Sequence, residues 1–264
     1  MKTFLPLVLM SCIGLAASCI MVVDPDQAQF WQDGGEFRKT IDLKAGGTVT
    51  VEHTLGNVII TGWDKDSVEV IASGRRRAEG ASDGMRVYGA GEYEPSIDVR
   101  RDEGIVRIRT RSLGGPWATR GLDYSIQVPS SVDLKPITLT KGDVAISDVY
   151  GRIEAAISEG SLTIRNFSGP LKASVGTGKA DVELLDVRET DVVDISVKEG
   201  DISIRLEREA AVRIEAEAPE GQITSEYDLG VKLPARSLAG HLGAGGAVIN
   251  LKTGRGNIKI LKAG

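Results

Sequence analysis

Cysteine is almost absent from this chain of 264 residues: there are two, Cys12 and Cys19, both near its start. Beyond Cys19 no thiol remains, which excludes a disulfide framework or a cysteine-based metal site from everything that follows. Histidine is equally scarce, with His53 and His241 alone, so most metal centres and nucleophile–histidine–acid arrangements fail for want of a required group. Aromatic residues are only 5% of the chain while glycines number 32, a balance that suits thin stacked strands and tight turns. The formal charge of -5 gives no global attraction to nucleic acid, so any site for an acidic partner has to be local.

What the chain does contain is a repeat. A glycine, a small polar residue, an aliphatic residue, any residue and usually an isoleucine recur at Gly56-Asn57-Val58-Ile59-Ile60, Gly142-Asp143-Val144-Ala145-Ile146, Gly160-Ser161-Leu162-Thr163-Ile164, Gly200-Asp201-Ile202-Ser203-Ile204 and Gly256-Asn257-Ile258-Lys259-Ile260. From Gly142 to Gly160 and from Gly160 to Gly178 the step is 18 residues, and Gly151 to Gly169 has the same length. Between the glycines, apolar and polar residues alternate, as in Ile153, Ala155 and Ile157 against Glu154, Ala156 and Ser158. Each period therefore holds two short strands and two turns, one coil of an all-β, parallel β-helix or β-solenoid. The short turns also permit an antiparallel β meander. Equal spacing favours the solenoid, because it sets Ile146 beside Ile164 and Glu154 beside Lys172.

Two stretches break the pattern. Ser73 to Gly91 is polar and glycine-rich, carries Arg75-Arg76-Arg77, and reads as a loop; Tyr227 to Gly246 interrupts the repeat before its last strands. At the N-terminus, Lys2, the apolar run Phe4 to Ile13 and the small residues Ala16-Ala17-Ser18 before Cys19 read as an export signal with a lipobox. The expected organisation is a lipoprotein-type signal peptide over 1–18, with Cys19 acylated, a tether over 19–36 and one solenoid domain over 37–261. A plainly cleaved signal or an uncleaved anchor is the alternative. Ile20, rather than aspartate, after Cys19 leans toward the outer membrane.

These residues resemble the bacterial putative-adhesin domain family of exported or membrane-tethered β-solenoids. The resemblance rests on Gly47-Thr48-Val49-Thr50-Val51 leading into Gly56 to Gly62, on Tyr124-Ser125-Ile126-Gln127-Val128-Pro129, and on the glycine-acid-aliphatic coils ending at Ile260. It implies surface or envelope interaction and supplies no catalytic residues.

The chemistry left to find is basic. Arg107, Arg109 and Arg111 alternate along one strand and point to one side, with Arg100 and Arg101 before them and Trp117 after. Guanidinium forks suit the phosphates or carboxylates of lipid headgroups, lipopolysaccharide and acidic glycans; the plainer reading is a charged face that keeps an edge strand soluble. His53 reads as structural, and the glycine-rich surroundings of His241 as a plain loop, since no strand-to-helix transition follows. The scattered acids Asp181, Glu183, Asp194, Glu215 and Glu217 read as solvated strand faces. The expectation is thus a non-catalytic, adhesin-like envelope lipoprotein without cofactor or metal. Its partners would be the membrane through the lipid, and an anionic envelope glycan, lipopolysaccharide or a membrane protein, but no nucleic acid. A glycan-processing β-helix enzyme and an envelope-stress sensor are the alternatives.

Overall fold

The computed structural model describes residues 31–32, 36–74, 95–112 and 121–263. The export signal, Cys19, Arg75 to Arg77, Trp117 and Arg120 lie outside the described residues.

The first strands are β1 (Trp31–Gln32), β2 (Glu36–Asp42), β3 (Thr48–Leu55), β4 (Val58–Trp63), β5 (Ser67–Gly74), β6 (Ser96–Asp102), β7 (Ile105–Ser112) and β8 (Leu122–Pro129). Regular coils follow, with β9 (Asp133–Lys141), β10 (Val144–Tyr150), β11 (Ile153–Glu159), β12 (Leu162–Ser168), β13 (Leu171–Thr177), β14 (Ala180–Leu184), β15 (Val192–Glu199) and β16 (Ile202–Leu206). Last come β17 (Val212–Glu217), β18 (Ile223–Ser225), β19 (Ser237–Leu242), β20 (Ala247–Arg255) and β21 (Ile258–Lys262). No helix occurs among the described residues.

The strands form two large, mostly parallel sheets. The first runs β1-β2-β5-β8-β4-β10-β12-β14-β16-β21-β18 and the second β19-β17-β20-β15-β13-β11-β9-β3-β7-β6. Successive strands of the repeat alternate between the sheets, so β9–β10, β11–β12, β13–β14 and β15–β16 are four stacked coils of a solenoid-like body. The register agrees with the 18-residue spacing: Ile146 pairs with Ile164, and Glu154 with Lys172. Alternation sends every second side chain inward. Ile146, Ile164 and Ile204 are buried, Ala145, Thr163 and Ser203 are partly exposed on the outer side, and one continuous apolar core joins the coils.

Coil order departs from sequence order at both ends. The β7–β8 pair lies outside β3–β4, to which β9–β10 attaches on the other side. At the far end β20–β21 inserts between β15–β16 and β17–β18. Antiparallel strands close the stack: β5, β2 and β1 at one end of the first sheet, and β6 and β19 at opposite ends of the second. The interrupting stretch Tyr227 to Gly246 thus supplies a capping strand. Trp31–Gln32, inside the range read as a tether, pairs with β2.

The recurring glycine stands where the coil turns from the second sheet to the first. Gly142, Gly160, Gly178 and Gly200 have φ between +138° and +146°, a region that side-chain-bearing residues avoid. They also form a column without room for a methyl group: a Cβ at Gly160 would lie 1.7 Å from the carbonyl oxygen of Gly142, and one at Gly200 1.6 Å from that of Gly178. The small polar residue after the glycine has its own task. Its side chain takes a backbone N–H from the neighbouring coil, as Asn57 does from Asp143 (3.2 Å), Asp143 from Ser161 (2.8 Å) and Asp201 from Asn257 (2.8 Å). Ser161 and Lys179 interrupt this ladder because they carry no such carbonyl oxygen.

Candidate functional site

Strand β7 pairs with β3 on one side and with β6 on the other. Because Val106 and Ile108 point into the core, Arg107, Arg109 and Arg111 all point outward and are exposed. The structure also gives each arginine an acid. Arg107 reaches Asp102 at 3.2 Å, Arg109 reaches Glu52 at 2.7 Å, and Arg111 reaches Asp98 at 2.6 Å, the last shared with Arg100. Hydrogen bonding to Glu52 holds the Arg109 guanidinium above its usual pKa. The patch is therefore a nearly balanced network with a modest cationic surplus, and exposed pairs of this kind contribute only about 0–1 kcal/mol each.

Arg109 and Arg111 stand at one end of a surface groove of about 940 Å³ on the outer face of the second sheet, with Glu52 beside them. Its floor crosses β9, β11 and β13 on small side chains, Thr138, Thr140, Ala156, Ser158, Ser174 and Gly176. A second groove of about 480 Å³ continues from Ser174 past Ser196 toward Lys252.

Beneath the arginine end lies a buried polar chain. His53 Nε2 donates to the Leu122 carbonyl oxygen at 2.8 Å, since a carbonyl only accepts. In the neutral ring Nδ1 then accepts from Thr110 Oγ1 at 2.8 Å, and Thr110 Oγ1 accepts in turn from the Tyr124 hydroxyl at 2.8 Å. The Tyr124 ring meets His53 edge-on at a centroid separation of 4.9 Å. Burial lowers the His53 pKa and raises that of Tyr124, so both remain neutral. His53 thereby joins β3, β7 and β8, the structural role expected of it. His241, read from the sequence as part of a plain loop, instead lies exposed on strand β19.

The acids of the other strand faces have basic or amide partners. Asp181 sits between Arg165 (2.8 Å) and Arg205 (2.5 Å). Burial alone would raise its pKa, but these two guanidinium groups outweigh it and hold the carboxyl below its usual range. Glu183 lies 3.7 Å from Arg165, Asp194 accepts from Asn250 at 2.6 Å, Glu215 pairs with Arg213, and Glu217 with Lys252. Among the described residues no three His, Asp or Glu side chains come together to hold a metal ion. Glycan hydrolysis by paired carboxylates needs an acid whose pKa is raised, and Asp181, between its two guanidinium groups, is shifted the other way.

The arginines and the inward residues are legible in the sequence, but the groove is not. A signal for its floor was present, because Thr138, Ala156 and Ser174, like Thr140, Ser158 and Gly176, follow one another at the 18-residue repeat. Small residues at outward positions carry no mark of their own until the strands are stacked.

Among curated proteins none matches the chain. Solved structures similar to it include a putative cell adhesion protein from Clostridium sporogenes, 16% identical over 86% of this chain and 99% of that one with a TM-score of 0.47. Another is a putative adhesin from Bacteroides fragilis, 15% identical over 86% of this chain and 97% of that one with a TM-score of 0.37. The Toastrack DUF4097 family model matches residues 35–261, nearly all of the stacked strands, and the chain belongs to that family.

Proposed function

We propose that this protein is exported, is held at the cell envelope by a lipid on Cys19, and works there by binding an acid-bearing envelope component without catalysing a reaction. The observation that carries the reading is the groove on the second sheet, which ends at the exposed guanidinium groups of Arg109 and Arg111. A guanidinium presents a fork of donors matched to carboxylate or phosphate oxygens, and an incoming anion would exchange with Glu52 or Asp98 rather than bury a new charge. The absence of catalysis is supported by the acids: those cited above are ion-paired with neighbouring bases or, for Asp194, hydrogen-bonded by an amide. The lipid is supported by the small residues preceding Cys19.

Two experiments test the reading. Purified full chain, measured against lipopolysaccharide, anionic liposomes and acidic glycans, should bind one of them with an affinity that falls between low and physiological salt, where the screening length is about 8 Å. Replacing Arg107, Arg109 and Arg111 by serine should remove that binding; unchanged affinity rejects the arginine site, and new reducing ends released from a glycan make the protein an enzyme. For the anchor, Cys19→Ala should abolish incorporation of a clickable fatty acid, and a variant that is still labelled rejects lipidation at Cys19.

A further inference from the structure

The two grooves share Ser174 and follow one another across the outer face of the second sheet. The strand register makes them one channel. Thr138, Ala156, Ser174 and Ser196 pair in sequence from β9 to β15 and form one row of its floor. Thr140, Ser158 and Gly176 stand in the adjacent row, two residues farther along each strand. Larger residues wall both sides. Glu154, Lys172, Asp194 and Asn250 pair in a row on one side, and Lys141, Glu159, Glu199 and Arg255 lie along the other, where the coils turn.

The charges of these walls largely cancel. Lys141 pairs with Glu159 at 2.9 Å, Arg255 pairs with Glu199, and Lys172 lies in register between Glu154 and Asp194. At the end formed by β7 and β3 the balance is less complete, since Arg109, Arg111 and Arg100 share two carboxylates, Glu52 and Asp98. From Arg109 on β7 to Lys252, which follows Ser196 in the row on β20, the channel crosses six strand spacings of about 4.8 Å, roughly 30 Å in all.

Resting on the binding reading above, we infer that this channel holds a linear, hydroxyl-rich glycan that runs across the strands and places a carboxylate against Arg109 and Arg111. Three features select that occupant. Between Glu52 and Lys252 the floor carries hydroxyls, a methyl group and a glycine, so it offers hydrogen bonds to sugar hydroxyls but no large apolar side chain to an acyl chain. The strands beneath it are paired on both sides, so no free backbone edge is available to an extended peptide. An extended pyranose chain advances by about one strand spacing per ring, which lets successive rings meet successive coils.

The test is titration calorimetry of the full chain in detergent micelles with hyaluronan oligosaccharides of increasing length, with free glucuronate as the one-ring probe. Ser174→Tyr fills the channel midway, and Thr163→Tyr adds the same ring to the outer face of the first sheet; unchanged melting temperatures establish that both fold. Affinity should rise at least tenfold between two and six rings and then level off. Ser174→Tyr should reduce six-ring affinity at least tenfold while sparing glucuronate, and Thr163→Tyr should change neither. Equal affinity at every length, or an unaffected Ser174→Tyr variant, overturns the channel. If glucuronate or anionic liposomes bind with salt sensitivity and Arg109→Ser with Arg111→Ser removes it, but length has no effect, the binding reading stands and the channel falls. If no probe binds, both fall.

Discussion

At Gly160 one methyl group separates a turn that closes from one that does not. Gly160→Ala would place its Cβ 1.7 Å from the Gly142 carbonyl oxygen in a backbone at φ +138°. Neither partner can retreat, because the glycines above and below are locked in the same column. Urea unfolding should show a loss well above the ~1 kcal/mol that separates glycine from alanine in an unconstrained position, whereas Gly104→Ala, with open space around its Cβ site, should cost only the strain of its positive φ. His53 makes a second residue-scale prediction. Its folded pKa is depressed by burial, while the unfolded chain titrates near the ordinary value of about 6.5. Above that pH both states are neutral; below it the unfolded state takes the proton first, so stability should fall as pH drops from about 7.5 toward 5.5. His53→Gln should flatten that slope in unfolding curves measured at several pH values. A structural role for His53 was legible from its place near a strand end, but its partners Thr110 and Leu122 lie 57 and 69 residues away, and only the sheet pairing brings them together.

A strand of this protein is specified by alternation, and the specification can be inverted by one residue. Ile164→Asp puts a carboxylate in the core and forfeits about 1.5–3 kcal/mol of apolar burial besides, so it should unfold the stack or nearly so. Thr163→Asp faces outward and should cost under about 1 kcal/mol. Equal losses of melting temperature in the two variants would contradict the register. The Asx ladder predicts a smaller effect: Asp143→Ala leaves the Ser161 amide without its 2.8 Å partner and should cost about 1 kcal/mol by denaturant unfolding. Strands and register were legible because the 18-residue period fixes which residues stack. The order of the coils was not, since a turn and a period look the same whether the next coil is added before or after the last one.

At the scale of the whole molecule, that order makes the C-terminal strands an internal support. Deleting residues 247–264 removes β20 and β21, which hydrogen-bond to β15 and β16 on one side and to β17 and β18 on the other. Burial of Ile249, Leu251, Ile258 and Ile260 alone is worth about 1.5–3 kcal/mol each, a sum comparable with the whole stability of an ordinary domain. Hydrogen exchange of the truncated chain should therefore show residues 212–242 unprotected; retained protection there would contradict the insertion. The two outer surfaces are not equivalent either. The first sheet carries the Arg165–Asp181–Arg205 cluster, while the second carries the small-residue channel with arginines at its end. Binding through that second surface is the claim on which the functional account turns. Its most direct test is a two-dimensional NMR titration of isotope-labelled full chain with a hyaluronan hexasaccharide at low and physiological salt. The account predicts salt-weakened shifts concentrated at Glu52, Arg109, Arg111, Thr138 and Ser158 with the sugar recovered intact, and shifts confined to the first sheet, or a cleaved sugar, would contradict it.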